Sequence, residues 1–292
     1  MIESATWTNI HNGQVIAFNA NDTPFNTFTT EVEWRQDEMA KPQEHGSIPG
    51  FPYLGARLFH ADGDILKASS AEYITKRRDL VRAVMPSARY GNKIVGTLQI
   101  LFTGMPETVQ ALCSLDGYPE LPMEGLGPAH GAYQINWKSY DPRLYGLAQL
   151  SATANISGTS NTGRAYAKTY PKQYLNPTAV TGDVILTNSG DIEVYPTVDI
   201  LGPATFPALT LLSPAPQMRI EFGNLVVAAG ETITINFENR TATSSLGRDV
   251  YYTLTSREWW ALDVGNSTVR FSAFSASAPA QATFKWRNAY ML

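Results

Sequence analysis

The stretch Glu231-Thr232-Ile233-Thr234-Ile235-Asn236-Phe237 alternates without a break. In an extended chain successive side chains point to opposite faces, so Ile233, Ile235 and Phe237 share one side and Thr232, Thr234 and Asn236 the other. Such a strand packs one face on a core and gives the other to water. The same grammar extends outward in both directions. Upstream, Val184-Ile185-Leu186 runs into the turn Asn188-Ser189-Gly190, and Pro196, Pro203 and Pro207 punctuate short apolar runs. Downstream come Val250-Tyr251-Tyr252-Thr253-Leu254, Val269-Arg270-Phe271-Ser272-Ala273-Phe274 and Ala282-Thr283-Phe284-Lys285-Trp286-Arg287. Short strands recurring every roughly 8–12 residues with turns between them predict a β-sandwich or jelly roll over residues 171–292.

The first half is more mixed. Val15-Ile16-Ala17-Phe18, Thr29 to Trp34, Gly96 to Phe102, Gln110 to Leu115 and Ala132 to Trp137 read as strands. Residues 39–55 hold Pro42, Pro49, Pro52, Gly46, Gly50 and Gly55, which predicts a long loop. Asp62-Gly63 between Leu58-Phe59-His60 and Ile65-Leu66-Lys67 predicts a tight hairpin. One helix stands out. Ser69 and Glu72 fit a capping box, Tyr73, Arg77, Leu80 and Val84 follow at helical spacing beside Ile74 and Val81, and Pro86 stops the run. Its other side carries Lys76, Arg78, Asp79 and Arg82 and reads as a solvated face, because no aromatic platform for a nucleic acid flanks it. Asp141-Pro142-Arg143-Leu144-Tyr145-Gly146 closes this part. The fold class expected is mainly β, with an α+β N-terminal domain over residues 1–147, a Ser/Thr/Ala/Gly-rich linker over 148–170, and the sandwich over 171–292.

Composition narrows the function. The chain has 292 residues, 43% of them hydrophobic and only 16% charged, where about 25% charged is usual. Low charge suits a surface partly covered by other subunits, since charges are depleted from interface cores. A net charge of −4 gives no basic face for displacing counterions from phosphates, so no nucleic-acid specificity is expected. No apolar run approaches the ~20 residues of a membrane span, and Met1 to Ile10 lacks the basic start of a secretory signal. The lone Cys113 reads as a buried, inert thiol.

A search for chemistry finds none. His11, His45, His60 and His130 lie at no metal-ligating spacing. Asp62-Gly63-Asp64 could start a calcium loop, but Tyr73 holds the place where the closing carboxylate belongs. Gly125-Leu126-Gly127 is followed by Pro128, which spoils a phosphate loop. Glu31, Glu33, Asp183 and Asp199 are carboxylates that a glycosidase would need in a pair, and nothing local pairs them. No catalytic, cofactor-binding or metal residue is assigned, and no cofactor is expected. Trp259 and Trp260 are neighbours, so in a strand they would face opposite ways. One is expected in the core beside Phe271 and Trp286, the other near an edge.

The segment Ser256 to Phe271, with Trp259-Trp260 leading to Gly265-Asn266 and then Val269-Arg270-Phe271, resembles the distal tail proteins of long-tailed siphophages. Ala229-Gly230-Glu231-Thr232 looks like that family's strand opening, Phe284 to Tyr290 is similar to its last strand, and Tyr170-Pro171-Lys172-Gln173-Tyr174 to its entry into the second domain. Gln43-Glu44-His45-Gly46, the capped helix and Asp141 to Gly146 occur in the family's order. The tip Ser245-Leu246-Gly247-Arg248 departs from its frequent Asn-Gly. The resemblance implies an N-terminal split β-barrel with a flanking helix that forms a hexameric ring, and an outward galectin-like sandwich. It implies a virion location at the tail tip after assembly in the host cytoplasm. The partners implied are further copies, the tail tube protein and the tail-tip hub, with the tape measure and receptor-binding proteins as others. The alternative is a carbohydrate-binding module using Trp259, Trp260 and Trp286. A cell-wall hydrolase is the third reading.

Overall fold

The structure is a computed structural model. It describes residues 2–18, 23–40, 45, 47–85, 96–122, 129–156, 180–277 and 279–292. Two compact units divide it: Met1–Leu147 with Tyr290–Leu292, and Ala148–Ala289.

Unit 1 runs β1 (Ile2–Asn9), β2 (Val15–Phe18), β3 (Phe25–Arg35), β4 (Glu38–Ala40), β5 (Ser47–Pro49), β6 (Tyr53–Leu66), α1 (Ser70–Val84), β7 (Gly96–Phe102), β8 (Val109–Leu115), β9 (His130–Ser139) and β10 (Leu144–Gly146). The main sheet is ordered β2-β1-β7-β8-β9-β6-β3. Strand β8 gives Val109–Cys113 to β7 and only Ser114 and Leu115 to β9, so the sheet turns a corner there. It curls round one core. Trp137 of β9 is touched by Trp7 of β1 (5.7 Å between rings), Phe18 of β2 (5.6 Å) and Phe28 of β3 (6.4 Å). Strands from both ends of the order thus meet on one indole, the geometry of a split barrel. Helix α1 lies on this core through Tyr73, Leu80, Ala83 and Val84. Its last carbonyls lack partners within the helix. The Trp7 indole N–H and the Asn9 amide both donate to the Ala83 carbonyl oxygen, at 2.9 and 2.8 Å.

Three expectations change here. Asp62-Gly63 is not a hairpin: β6 runs straight through it, paired with β9 from Arg57↔Ser139 to Leu66↔His130. The glycine answers to crowding, because a Cβ on Gly63 would run into the Pro24 carbonyl oxygen and the Tyr133 hydroxyl. Nor is 39–55 simply a loop, since β4, β5 and the start of β6 lie in it. A two-stranded ribbon has two free sides, which is where proline is tolerated in β structure. On α1, Ile74 is 50% exposed, so the apolar stripe is narrower than the sequence suggested. Pro86, Gln43, Glu44, Gly46, Gly125–Pro128 and Tyr170–Tyr174 lie outside the described residues.

Unit 2 runs β11 (Leu150–Asn155), β12 (Val180–Asn188), β13 (Thr197–Leu201), β14 (Ala204–Thr205), β15 (Ala208–Ser213), β16 (Met218–Phe222), β17 (Val226–Val227), β18 (Thr232–Asn236), β19 (Thr241–Ser244), β20 (Leu254–Arg257), β21 (Gly265–Ala273), β22 (Ser275–Ala276) and β23 (Gln281–Trp286), with β24 (Ala289–Tyr290) at the return. Two five-stranded antiparallel sheets, β11-β23-β13-β18-β19 and β12-β21-β15-β16-β20, each bury one face. Val198, Ile200, Ile233, Ile235, Ala282 and Phe284 line the first, and Leu209, Leu211, Ile220, Phe222, Val269 and Phe271 the second. The alternating stretch Glu231–Phe237 forms β18, with Ile233 and Ile235 buried. The expected linker needs revision, because β11 occupies 150–155 and pairs along its length with β23. Only Ala154 of this edge strand is buried, so its pattern is too weak to read as a strand. Residues Tyr290–Leu292, assigned by sequence to the second domain, belong to unit 1.

Two buried ions fix local order. Arg57 is fully buried in unit 1. Its Nε donates to the Pro142 carbonyl oxygen (2.7 Å), and its Nη1 to Thr30 Oγ1 (3.1 Å) and the Leu292 carbonyl oxygen (2.8 Å). Burial lowers its pKa to about 10, so it remains a cation at neutral pH. In unit 2, Glu231 accepts from Ser244, from the Ala228 N–H (3.0 Å) and from Arg248 (2.5 Å). Burial would raise its pKa, but these donors outweigh it and hold the carboxyl below its ordinary value.

Arg57→Met should cost roughly 3 kcal/mol, since it strands several buried acceptors at once. Chemical denaturation followed by near-UV circular dichroism reads this. Glu231→Gln should cost about 1–3 kcal/mol at pH 7. Because the folded pKa lies below the unfolded one, the wild-type carboxylate stabilises above the usual carboxylate range and loses that contribution as pH falls. The gap in Tm between wild type and variant should therefore close below about pH 4.

Candidate functional site

The clearest functional surface of unit 1 is the far end of β6. Strand β9 pairs with β6 only from Arg57 onward, whereas β3 stays paired out to Arg35↔Tyr53. Beyond that, the same two chain segments form a separate two-stranded sheet, β4 with β5, from Glu38↔Pro49 to Ala40↔Ser47. The result is a two-stranded ribbon reaching past the sheet. Its exposed side chains are the wrong kind for open water: Trp34 is 65% exposed, Phe51 82%, and Tyr53 and Leu54 are exposed as well. Trp34 pairs across the ribbon with Leu54, so these two share a face. A cluster of exposed large apolar side chains on a projecting element marks an interaction surface.

The ribbon is anchored by charge at its base. Glu33 accepts from Arg35 (2.9 Å) and from Lys138 of β9 (3.1 Å), and these hydrogen bonds, Arg35 first, lower its pKa. A Cβ on Gly55 would meet Glu33 Cβ at 2.8 Å and Arg35 Nε at 2.9 Å, so the packed ion group requires glycine opposite it.

The other sequence candidates are dispersed. Asp183 receives both Nε and Nη2 of Arg270, its cross-strand partner, at 2.7 Å. Asp199 accepts from Lys285 and Thr234, both at 2.7 Å. Asp183 and Asp199 lie on different sheets of unit 2, and Glu31 and Glu33 in unit 1. The pKa of Asp183 is lowered by its hydrogen bond to Arg270, the opposite of what a general acid needs. His60 Nδ1 is 2.6 Å from Asn136 Oδ1. His45 and His130 are exposed. Among the described residues, no three His, Cys, Asp or Glu come together as a metal site. Cys113 is fully buried, and burial pushes its thiol pKa up.

The tryptophans do not form a shared platform. Trp286 is buried and its indole N–H donates to the Thr187 carbonyl oxygen at 3.0 Å. Trp259 and Trp260 follow the end of β20 and are not in a strand, so the pleat does not send them to opposite faces. Both touch Phe237, at 5.4 and 4.4 Å between rings. Trp260 is the buried one, with Phe237 as its ring neighbour in place of the expected Phe271 and Trp286. Trp259 is half-buried and stacks on Tyr251. Sequence reasoning missed Arg57 and the ribbon. An arginine in Ala56-Arg57-Leu58 carries no mark of burial, and the prolines of 39–55 hid the strands.

No family model matches the chain, and no curated protein is similar to it. Solved structures are. The chain is similar to the SPP1 Dit protein (gp 19.1), described as a paradigm of the hub adsorption apparatus in phages infecting Gram-positive bacteria. The match covers 98% of each chain, with a TM-score of 0.63 and 12% identity. It is also similar to a chain of the phage P2 baseplate in its activated conformation with calcium (TM-score 0.47, 13% identity, 99% and 98% covered) and with strontium (0.48, 15%, 99% and 98%). The chain has the mainly-β fold of the SPP1 Dit protein.

Trp260→Ala should cost about 3–5 kcal/mol, by lost burial and by the cavity left behind, and should lower the Tm of unit 2 measured by calorimetry. Trp259→Ala should cost much less.

Proposed function

We propose that the chain is a structural, non-enzymatic protein of a long-tailed phage. In this reading it is the distal tail protein, whose unit 1 closes a ring of six copies between the tail tube and the tail-tip hub. The projecting ribbon carries the reading. Trp34, Phe51, Tyr53 and Leu54 are left exposed by the described residues, and a further copy of the chain covers them in a ring. The ribbon lies at one end of β6 and helix α1 begins just after the other, roughly 40 Å along the strand. In this reading the ribbon of one copy meets a different surface of the next. Head-to-tail contacts generate a ring when the rotation between copies closes on itself. The fold likeness to the SPP1 Dit protein, a protein described in terms of a hub adsorption apparatus, supports the same assignment. So does the low charge of the chain. The sandwich of unit 2 then serves as the outward domain. Tail tube, hub, tape measure and receptor-binding proteins are the partners, and the virion tail tip is the location after assembly in the host cytoplasm.

Native mass spectrometry of the full chain should give a six-copy assembly. Trp34→Asp combined with Phe51→Asp should give single copies with an unchanged circular dichroism spectrum, because both residues are already in water in the isolated fold. A double variant that assembles like the wild type overturns the role given to the ribbon. Immunogold labelling anywhere other than the tail tip of virions overturns the assignment itself.

A further inference from the structure

One side of helix α1 stays uncovered by the described residues. Ile74, Arg77, Arg78, Val81 and Arg82 line an open groove along it. Ile74 is exposed and Val81 half-buried, while Tyr73, Leu80, Ala83 and Val84 on the other side are in the core. The three guanidiniums around this aliphatic pair are loosely held. Arg77 donates to the Tyr73 hydroxyl at 3.4 Å, and Arg82 lies 3.8 Å from Asp79. Arg78 is exposed, with no hydrogen bond or ion pair among the described residues. The helix carries Lys76, Arg77, Arg78 and Arg82 against Glu72 and Asp79, so it is cationic within a chain of net charge −4. Such a face suits a surface of opposite charge with an aliphatic centre.

The chain itself has that surface. On β6, Phe59, Ala61 and Ile65 belong to the core on which α1 lies, so the alternate residues Leu58, His60, Asp62 and Asp64 point away from it. Glu31 of β3 is exposed and sits opposite Leu58, which is half-buried and supplies the aliphatic centre. Asp62 has His60 at 3.5 Å, and Asp64 accepts from the Asn26 amide at 3.1 Å, so neither is paired with a lysine or arginine among the described residues. The spacings agree. Leu58 to Asp62 is about 13 Å along a strand, and Ile74 to Arg82 is about 12 Å along a helix. One copy cannot join the two surfaces, because its carboxylates face away from the core that its own helix covers.

We propose that α1 of one copy docks on the outward face of β3 and β6 of the next, with Ile74 against Leu58 and the arginines against Glu31, Asp62 and Asp64. This rests on the ring reading and adds the contact that sets its angle. The ribbon projects from the same β3–β6 pair, so both contacts fall in one interface. The 15-residue helix is about 22 Å long and ~10 Å across, so one face offers about 200 Å². That is far below the ~800 Å² per partner of a stable interface, so the helix does not hold copies together by area. Its part is orientation: opposed charges fix the register, and like charges forbid the alternatives. The angle so fixed decides whether head-to-tail contacts close. An acidic segment of another protein would meet the arginines and leave the carboxylates without cations, whereas a second copy meets both.

The test reverses each surface in the full chain. Arg78→Glu with Arg82→Glu makes the helix acidic, and Glu31→Lys with Asp62→Lys makes the sheet face basic. All four positions are exposed or half-buried, so each double variant should keep the wild-type circular dichroism spectrum. In native mass spectrometry, each alone should need at least about tenfold more protein than the wild type to assemble, because like charges meet at every contact. Mixed in equal amounts, the two should assemble again. In alternation every helix then meets a face of opposite charge, and the masses should show both variants in equal number. The chain with all four substitutions should assemble by itself. Either double variant assembling alone like the wild type overturns this contact and leaves the ring standing. So does a mixture that fails to recover. A wild-type chain that stays single at every concentration overturns the ring reading, and this contact with it.

Discussion

Unit 1 is organised around a charge that cannot reach water. A buried guanidinium is tolerated only if its donors are met and its surroundings hold still. Arg57 meets that condition by drawing four separate pieces of chain to one point: its own strand β6, Thr30 on β3, the Pro142 carbonyl oxygen at the turn after β9, and the Leu292 carbonyl oxygen. The turn is itself locked, since Asp141 accepts from the Arg143 N–H (3.0 Å) and from the Tyr145 hydroxyl (2.5 Å). A residue contributed from beyond unit 2 thus completes the interior of unit 1. The ribbon projects from the strand pair that this cation ties down, so its base inherits the same rigidity.

The legible part of the fold was the part written in period two. Strands β9, β18, β21 and β23 alternate buried and partly exposed side chains and read as strands in the sequence, as did the more apolar runs of β7 and β8. Helix α1 was visible through its cap, where the Glu72 N–H donates to Ser69 Oγ at 3.4 Å. What failed has physical reasons. Gly63 mimicked a hairpin because sequence shows a glycine but not the carbonyl oxygen that crowds it. Strand β11 mimicked a linker because an edge strand with one buried alanine has almost no pattern. Trp259 and Trp260 were read by strand rules although they lie past a strand end, where the pleat no longer dictates direction.

The candidate surfaces were less legible than the fold. Carboxylates that a sequence leaves unassigned turn out to be used up in cross-strand pairs, as Asp183 with Arg270 and Asp199 with Lys285. This is how a chain with few charges spends them, and it leaves the ribbon to act through apolar area. A sequence cannot show that Trp34 and Phe51 are outside, because the same residues would serve equally well in a core. Exposure is a property of the register between β3, β6 and β9, and that register becomes visible only once β9 is seen to stop at Arg57.

The return of Tyr290–Leu292 to unit 1 changes how the molecule carries force. Unit 2 is bounded by two crossings, at Leu147–Ala148 and Ala289–Tyr290. The second is pinned at Tyr290, whose hydroxyl donates to Glu107 at 2.7 Å, and at Leu292 on Arg57. A pull on unit 2 is therefore divided between two tethers in parallel, where a simple tandem arrangement would load one. Tearing it away requires extracting a buried tyrosine and uncapping a buried cation together, so the joint should yield abruptly and at higher tension than a flexible tether. Unit 2 is in this sense an insertion: the chain leaves unit 1 at Leu147 and comes back to it at Tyr290.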